Sequence, residues 1–314
     1  MDETMTENAY KECRLCPRQC RVDRAAGQKG YCKMTDRPMI ARAALHMWEE
    51  PCISGENGSG TVFFSGCSLG CVFCQNRKIA LGNVGKEISE ERLVDIYFEL
   101  EAKGANNINL VTADHFIPTV AATVEEAKRR GLRIPFLLNT GSYVSVEALK
   151  SLDGLIDIYL PDIKYINDRL AGEYSSAADY FETACKAVDE MVRQLRSRSK
   201  DGKVKNIFDE NGIMKQGIIV RHLLLPGHVL DAKMIAKYLY DRYGDEIYIS
   251  LMNQYTPMPE IGGKYGNLGR TVTDTEYQSL LDYASEFITK GFMQTGETAD
   301  ESFIPDFNCD DRVL

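Results

Sequence analysis

Apolar and polar positions along this chain change period repeatedly. Short apolar, β-branched runs at 61–65, 107–112, 133–139, 155–160, 217–225 and 246–252 read as strands. The segments between them carry helical spacing. In 89–103, Leu93, Ile96, Tyr97 and Leu100 share one face, with Glu90 and Glu91 in the first turn. Helical patterns at 120–130 and 231–243 stop at Gly131 and Gly244. A last helix over 274–290 opens with Thr273-x-x-Glu276, a capping box, and turns Tyr277, Leu280, Leu281, Ala284, Phe287 and Ile288 inward. Strands alternating with helices predict a parallel α/β architecture. A complete eight-stranded barrel takes about 250 residues. Too few remain after an irregular N-terminal region, so the expectation is a partial (β/α)6 TIM-like barrel.

Three segments break the alternation. Residues 1–35 are cysteine-rich and irregular, and 36–60 read as a connector into a barrel over 61–314. Within that barrel, Asn211-Gly212 between two short runs predicts an exposed hairpin insert over 196–217. The basic stretch Arg196–Lys200 reads as a solvated helix end.

Composition narrows the class. The 314 residues are 44% hydrophobic and 26% charged, as in ordinary soluble domains. A net charge of −9 argues against a duplex nucleic-acid binder, which needs a basic face. The acidic, polar first residues, Met1 to Asn8, do not read as a secretory signal, and no apolar run reaches membrane-span length. Ten cysteines in such a chain point to metal binding in a reducing cytoplasm rather than to disulfides.

The cysteines carry the chemistry. Cys67, Cys71 and Cys74 follow the first strand on one short loop, with Phe73 before the last of them. Three thiolates so placed suit a cubane iron–sulfur cluster with one iron lacking a protein ligand, whereas electron-carrying [4Fe–4S] centres use four. A zinc knuckle and a plain electron carrier are the alternatives. In parallel α/β folds, ligands bind beyond the carboxyl ends of the strands, and several polar groups fall there. These are Thr112, Asp114 and His115 after the second strand and Asn139-Thr140 after the third. Asp162 and Lys164, two apart and so on one face, follow the fourth; Asn253-Gln254-Tyr255 follows the sixth.

The stretch from Gly58 to Asn76, GSGTVFFSGCSLGCVFCQN, with its C-x3-C-x-aromatic-C spacing, resembles the cluster region of radical S-adenosylmethionine (SAM) enzymes. More particularly, it resembles an uncharacterised branch related to pyruvate formate-lyase-activating enzyme. The resemblance implies a [4Fe–4S] cluster on Cys67, Cys71 and Cys74. It also implies SAM bound to the open iron and reductive cleavage to a 5′-deoxyadenosyl radical that abstracts a hydrogen atom. It assigns the D-x-K pair Asp162 and Lys164 to SAM carboxylate or substrate, and His222 to the ribose side. Where activating enzymes carry a Gly-Gly-Glu type motif for the SAM amino group, this chain has Thr112-Ala113-Asp114. Thr112 and Asp114 are the candidate substitutes, because a carboxylate accepts from an ammonium. Asn139, Thr140 and Gln254 complete the candidate cofactor contacts.

The implied function is that of a radical SAM oxidoreductase of the glycyl-radical-enzyme-activating type. It would act on a protein or peptide and be reduced by a flavodoxin or ferredoxin, with no nucleic-acid or membrane partner. Modification of a small molecule is the alternative, and a non-catalytic zinc or iron–sulfur interaction protein a more distant one.

A second constellation, Cys13-x2-Cys16-x3-Cys20-x11-Cys32, suits either Zn²⁺ or a second iron–sulfur cluster. So short a segment needs such a staple to fold. Cys52, Cys185 and Cys309 have no partners in spacing. Cys185 reads as a helix core residue, and the other two are unassigned.

Overall fold

The computed structural model describes residues 9–258 and 261–294. Cys309 and the first eight residues lie outside them. Ten strands form the sheet system: β1 (Met39–His46), β2 (Ser59–Phe64), β3 (Lys86–Glu87), β4 (Ile108–Val111), β5 (Phe136–Thr140), β6 (Ile158–Pro161), β7 (Ile207–Phe208), β8 (Met214–Leu223), β9 (Tyr248–Met252) and β10 (Gly291–Met293). The main path runs β10-β9-β8-β6-β5-β4-β2-β1-β3, with β7 paired to β8. The six strands expected from the sequence, β2, β4, β5, β6, β8 and β9, are parallel neighbours in chain order. The path does not close on itself, which makes the architecture a partial (β/α)6 barrel. The register runs Phe63, Val111, Asn139, Leu160 across four adjacent strands, so their C-terminal ends finish level.

The helices form for the reasons legible in their spacing. In Glu90–Ala102, Ser89 accepts the Arg92 N–H as N-cap, and Leu93, Ile96, Tyr97 and Leu100 are fully buried. Each such side chain contributes about 1.5–3 kcal/mol of burial. In Asp274–Ser285 the capping box forms as expected. That helix stops five residues short of the expected 290 because Phe287 and Ile288 lead instead into β10, parallel to β9. At three residues, β10 is too short to carry a pattern.

Residues 36–60 are not a connector. Met39–His46 pairs antiparallel with β2 in the register Ala43↔Val62 to His46↔Ser59. Its alanines have weak strand propensity, and pairing with the sheet overrides this. The chain then folds under the barrel. Cys52 and Ile53, on the short helical turn Pro51–Ser54, pack among Leu137, Ile158, Leu160, Met214 and Ile219 at the N-terminal end of the strands. Asn107 Nδ2 donates to the Ile53 carbonyl and fixes this plug. Cys52 is therefore a packing residue, and burial pushes its thiol up to about 12.

Two further expectations change. The hairpin about Asn211-Gly212 forms, with Asp209 accepting the amides of Asn211 and Ile213. Its second arm, however, is the start of β8, so 214–217 belongs to the barrel. The basic stretch is tied down as well: Arg196 pairs with Glu246, and Arg198 donates to the Ile156 carbonyl. Cys185 is half-buried beside Tyr238 rather than in the core.

Candidate active site

The cysteine loop leaves β2 through Gly66, whose φ is +83°. A Cβ there would lie 2.5 Å from the Cys32 carbonyl oxygen, so only glycine lets the N-terminal segment approach this closely. The loop is then pinned from several sides. Leu69 N–H donates to Cys67 Sγ at 3.3 Å, Val72 N–H to the Tyr174 carbonyl at 2.8 Å, and Ser68 Oγ to the Tyr143 carbonyl at 3.1 Å. Phe73 is buried in an aromatic cage, edge-on to Tyr165 and Tyr174 and tilted against Tyr255. Cys67, Cys71 and Cys74 all face one cleft at the C-terminal ends of the strands.

Burial pushes Cys67 up to about 11 and Cys74 up to about 12, and the neighbouring thiols add to both. A bound cation reverses such an environment, since metal coordination deprotonates a thiol outright. Among the described residues, no three His, Cys, Asp or Glu side chains are grouped to hold a single metal ion. A cubane needs no such convergence, because each thiolate takes a separate iron. The loop therefore fits a [4Fe–4S] cluster better than a mononuclear ion.

Opposite the thiols lies a charged network. Lys164 Nζ is 2.6 Å from Asp162 Oδ2, and Arg221 Nε is 2.9 Å from Asp162 Oδ1. Arg221 also reaches Glu49 Oε2 at 3.0 Å and donates to Asn139 Oδ1 at 2.6 Å. Asn139 and Asn109 each donate to Glu49 Oε1. Burial opposes charge on Asp162, but Lys164 and Arg221 overcome it and hold the carboxyl below its usual range. Burial likewise opposes charge on Lys164, and Asp162 holds it ionised. Asp114 differs: burial pushes it up to about 6, Asp162 adds to the rise, and the Thr140 hydroxyl bond opposes it. Beside it, Thr112 sits at φ +59°, a left-handed conformation that costs a β-branched residue strain and is met chiefly at functional sites.

The cleft gathers most of the candidate residues: the three loop cysteines with Phe73, then Thr112, Asp114, Asn139, Thr140, Asp162, Lys164 and Gln254. His222 is the exception. It is 2% exposed, with Nδ1 2.7 Å from the Ile163 carbonyl, and is pushed down to about 4 by burial. Alternation along β8 turns Arg221 into the cleft and its neighbour His222 away. His115 is also outside the cleft lining, held at 2.8 Å from the Ser65 carbonyl and pushed down to about 3 by burial and Arg24. Tyr255 is buried with its hydroxyl on the Leu268 carbonyl. Glu49 and Trp48 join the cleft unforeseen, and Arg221 enters it at the strand end where the resemblance points to His222. A lone arginine inside the apolar run of β8 signals a buried partner; nothing in the sequence marks Glu49.

The N-terminal cysteines sit against the same loop. Cys13, Cys16 and Cys32 are buried and Cys20 is half-buried. Burial pushes Cys16 up to about 12 and also raises Cys32, with neighbouring thiols adding to both. The segment has little regular structure and is organised by two arginines. Arg24, fully buried, donates to the carbonyls of His115 and Thr35, each at 2.6 Å, and stacks on Tyr10. Arg18 donates to the carbonyls of Ser68, Leu69, Ser175 and Ser176.

Residues 61–207 match the family described as the Radical SAM superfamily. Over those residues the chain matches a superfamily whose general chemistry is enzymatic and uses a [4Fe–4S] cluster with SAM. An uncharacterized protein of Methanocaldococcus jannaschii is 26% identical over 295 residues, covering 90% of this chain and 77% of that protein. Among solved structures, Streptococcus suis SuiB bound to S-adenosylmethionine is 12% identical with a TM-score of 0.46, over 74% of this chain and 49% of that one. HydG, a maturase of the [FeFe]-hydrogenase, is 15% identical with a TM-score of 0.48, over 72% and 49%. A domain of pyruvate-formate lyase-activating enzyme from Bacteroides vulgatus is 13% identical with a TM-score of 0.36, over 56% and 89%. The chain thus spans about half the length of the SuiB and HydG chains it matches. No helix among the described residues is long and apolar enough to cross a membrane.

Proposed function

We propose that this protein is a radical SAM oxidoreductase of the activating-enzyme type that abstracts a hydrogen atom from a polypeptide. The observation that carries the reading is the placement of three thiols on one loop facing the Asp162–Lys164–Arg221 network across a single cleft. A cluster on Cys67, Cys71 and Cys74, with SAM bound, supplies reductive cleavage of the sulfonium to a 5′-deoxyadenosyl radical. The protein's own part is to bind and orient. Lys164, kept charged by Asp162, meets the SAM carboxylate. Asp114 and Thr112 receive its amino group in place of a Gly-Gly-Glu motif. Asn139, Thr140 and Gln254 close the wall, and the buried aromatics around Phe73 exclude water.

A polypeptide target fits the rim. Trp48, the single tryptophan of the chain, lines the cleft yet is 61% exposed, as suits an aromatic anchor for a partner. Cys13, Cys16, Cys20 and Cys32 hold a second metal centre in a module over residues 1–35; as at the loop, the spread of the sulfurs favours iron–sulfur over zinc. A flavodoxin or ferredoxin in the cytoplasm supplies the electron.

The test is anaerobic reconstitution with iron and sulfide, then dithionite and SAM. Formation of 5′-deoxyadenosine, raised by the correct polypeptide and labelled from it when that substrate is deuterated, supports the reading. A reducible [4Fe–4S] spectrum without 5′-deoxyadenosine contradicts it. Stimulation by small molecules alone assigns the other substrate class.

A further inference from the structure

The helix Asp168–Ser175 begins at Asn167, whose side chain accepts the amides of Arg169 and Leu170, and ends at Ser176 in the left-handed region with φ +49°. This stop places Ser175 against the cysteine loop. Ser175 is 1% exposed, and its Oγ–H donates to Cys71 Sγ at 3.0 Å. Behind it, the fully buried Tyr165 hydroxyl lies 2.7 Å from Ser175 Oγ. A serine has one proton to give. With that proton directed to sulfur, Ser175 Oγ is left to accept from the Tyr165 hydroxyl, which is itself within hydrogen-bond reach of Cys71. Donors arranged in series polarise and strengthen one another in a low-dielectric interior.

The position of this relay is fixed from outside the barrel. Arg18 Nη2 donates to the Ser175 carbonyl at 2.9 Å and the Leu69 carbonyl at 3.2 Å, and Nε to the Ser68 carbonyl at 3.0 Å. One guanidinium therefore grips both the helix end and the loop. It is held 3.9 Å over the Tyr31 ring, with Tyr143 on another side at 5.1 Å. Arg18 lies between Cys16 and Cys20 in sequence, so the N-terminal module reaches the loop through it.

We propose that Ser175, backed by Tyr165, is a positioning residue that raises the reduction potential of the centre held by Cys67, Cys71 and Cys74, and that Arg18 holds it in register. The proposal rests on the cluster reading above. Hydrogen bonds to ligating sulfur are among the levers a protein has on such a potential. Reduction adds negative charge shared by the sulfurs, so a donor to Cys71 stabilises the reduced state more than the oxidised one.

The experiment is an EPR-monitored redox titration of the reconstituted full-length protein without SAM, with iron and sulfide content measured on every variant. Ser175→Ala is expected to lower the reduced-to-oxidised ratio at a fixed potential about tenfold, equivalent to about 59 mV for a one-electron couple. Ser175→Thr, which keeps the hydroxyl, restores it. Tyr165→Phe keeps the ring packing and moves the ratio the same way by about threefold, which keeps the test decisive where Ser175→Ala loads poorly. Arg18→Met gives a similar threefold loss. Equal potentials in wild type, Ser175→Ala and Tyr165→Phe at equal cluster loading overturn this proposal and leave the cluster reading standing. A wild-type protein that takes up no reducible four-iron centre overturns both.

Discussion

The two thiol groups of this molecule are built on opposite principles. The loop bearing Cys67, Cys71 and Cys74 hangs from β2, a strand buried along its whole length between β1 and β4. Cys13, Cys16, Cys20 and Cys32 sit in a segment with scarcely any hydrogen-bonded ladder, including left-handed Gln19, Arg21 and Lys33. That segment is organised by the carbonyl-gripping arginines 18 and 24. The barrel strand fixes where the first set starts, and Arg18 grips its loop from outside. The second is held by arginines, the buried Arg24 above all. The loop proposed to carry the chemistry thus hangs from a sheet strand, and the irregular N-terminal segment packs against it.

The sharpest way to break this contrast is to remove thiols. Cys71→Ala should reduce 5′-deoxyadenosine formation below detection while the thermal midpoint moves by only a few degrees, as expected for about 1 kcal/mol. Metal analysis of a variant with all three loop cysteines replaced should still find the metal of the N-terminal four. Loss of both together would mean that the two sets form one site. Next in size, Arg24→Met leaves the buried carbonyls of His115 and Thr35 without a donor, costing about 3 kcal/mol. Limited proteolysis should then cut first within residues 9–35, with the barrel intact; first cleavage in the barrel would contradict the independence of its frame.

Arg221→Met tests the other side of the cleft. It strips a partner from both Asp162 and Glu49, so about 3 kcal/mol of stability and at least about tenfold in SAM affinity should be lost, by denaturant titration and calorimetry. The most specific effect, confined to a narrow pH window, concerns Asp114. Its carboxyl is raised from 3.8 to about 6 in the folded protein, so the folded state binds more protons than the unfolded state between those values. Stability therefore falls as pH rises through that window and levels off above it, by up to about 3 kcal/mol. Asp114→Asn should remove that slope. A slope unchanged in the variant would place Asp114 outside the buried network.

The contrast also explains what could be read before the fold was known. Strands buried on both faces are continuous apolar runs, so β2, β4, β5, β6, β8 and β9 were legible. The loop spacing and the pair Asp162 and Lys164 were legible too, because each lies within a single strand end. The same burial conceals which face a residue takes: in β8 it is Arg221, not His222, that enters the cleft. β1 was hidden by its alanines. Glu49 reaches Arg221, 172 positions away, only because the chain folds under the barrel, a long-range fact that no local spacing contains. Thr112 lines the cleft, but its left-handed backbone is one that β-branched residues ordinarily avoid.

The central claim is that Cys67, Cys71 and Cys74 hold a cluster that cleaves SAM. Its most direct test is a single-vessel measurement of 5′-deoxyadenosine and methionine after dithionite and SAM are added to the anaerobically reconstituted protein. Equimolar 5′-deoxyadenosine and methionine, absent in Cys71→Ala, is the predicted result. Intact SAM in the presence of a reduced [4Fe–4S] signal, or equal products from Cys71→Ala, would contradict it.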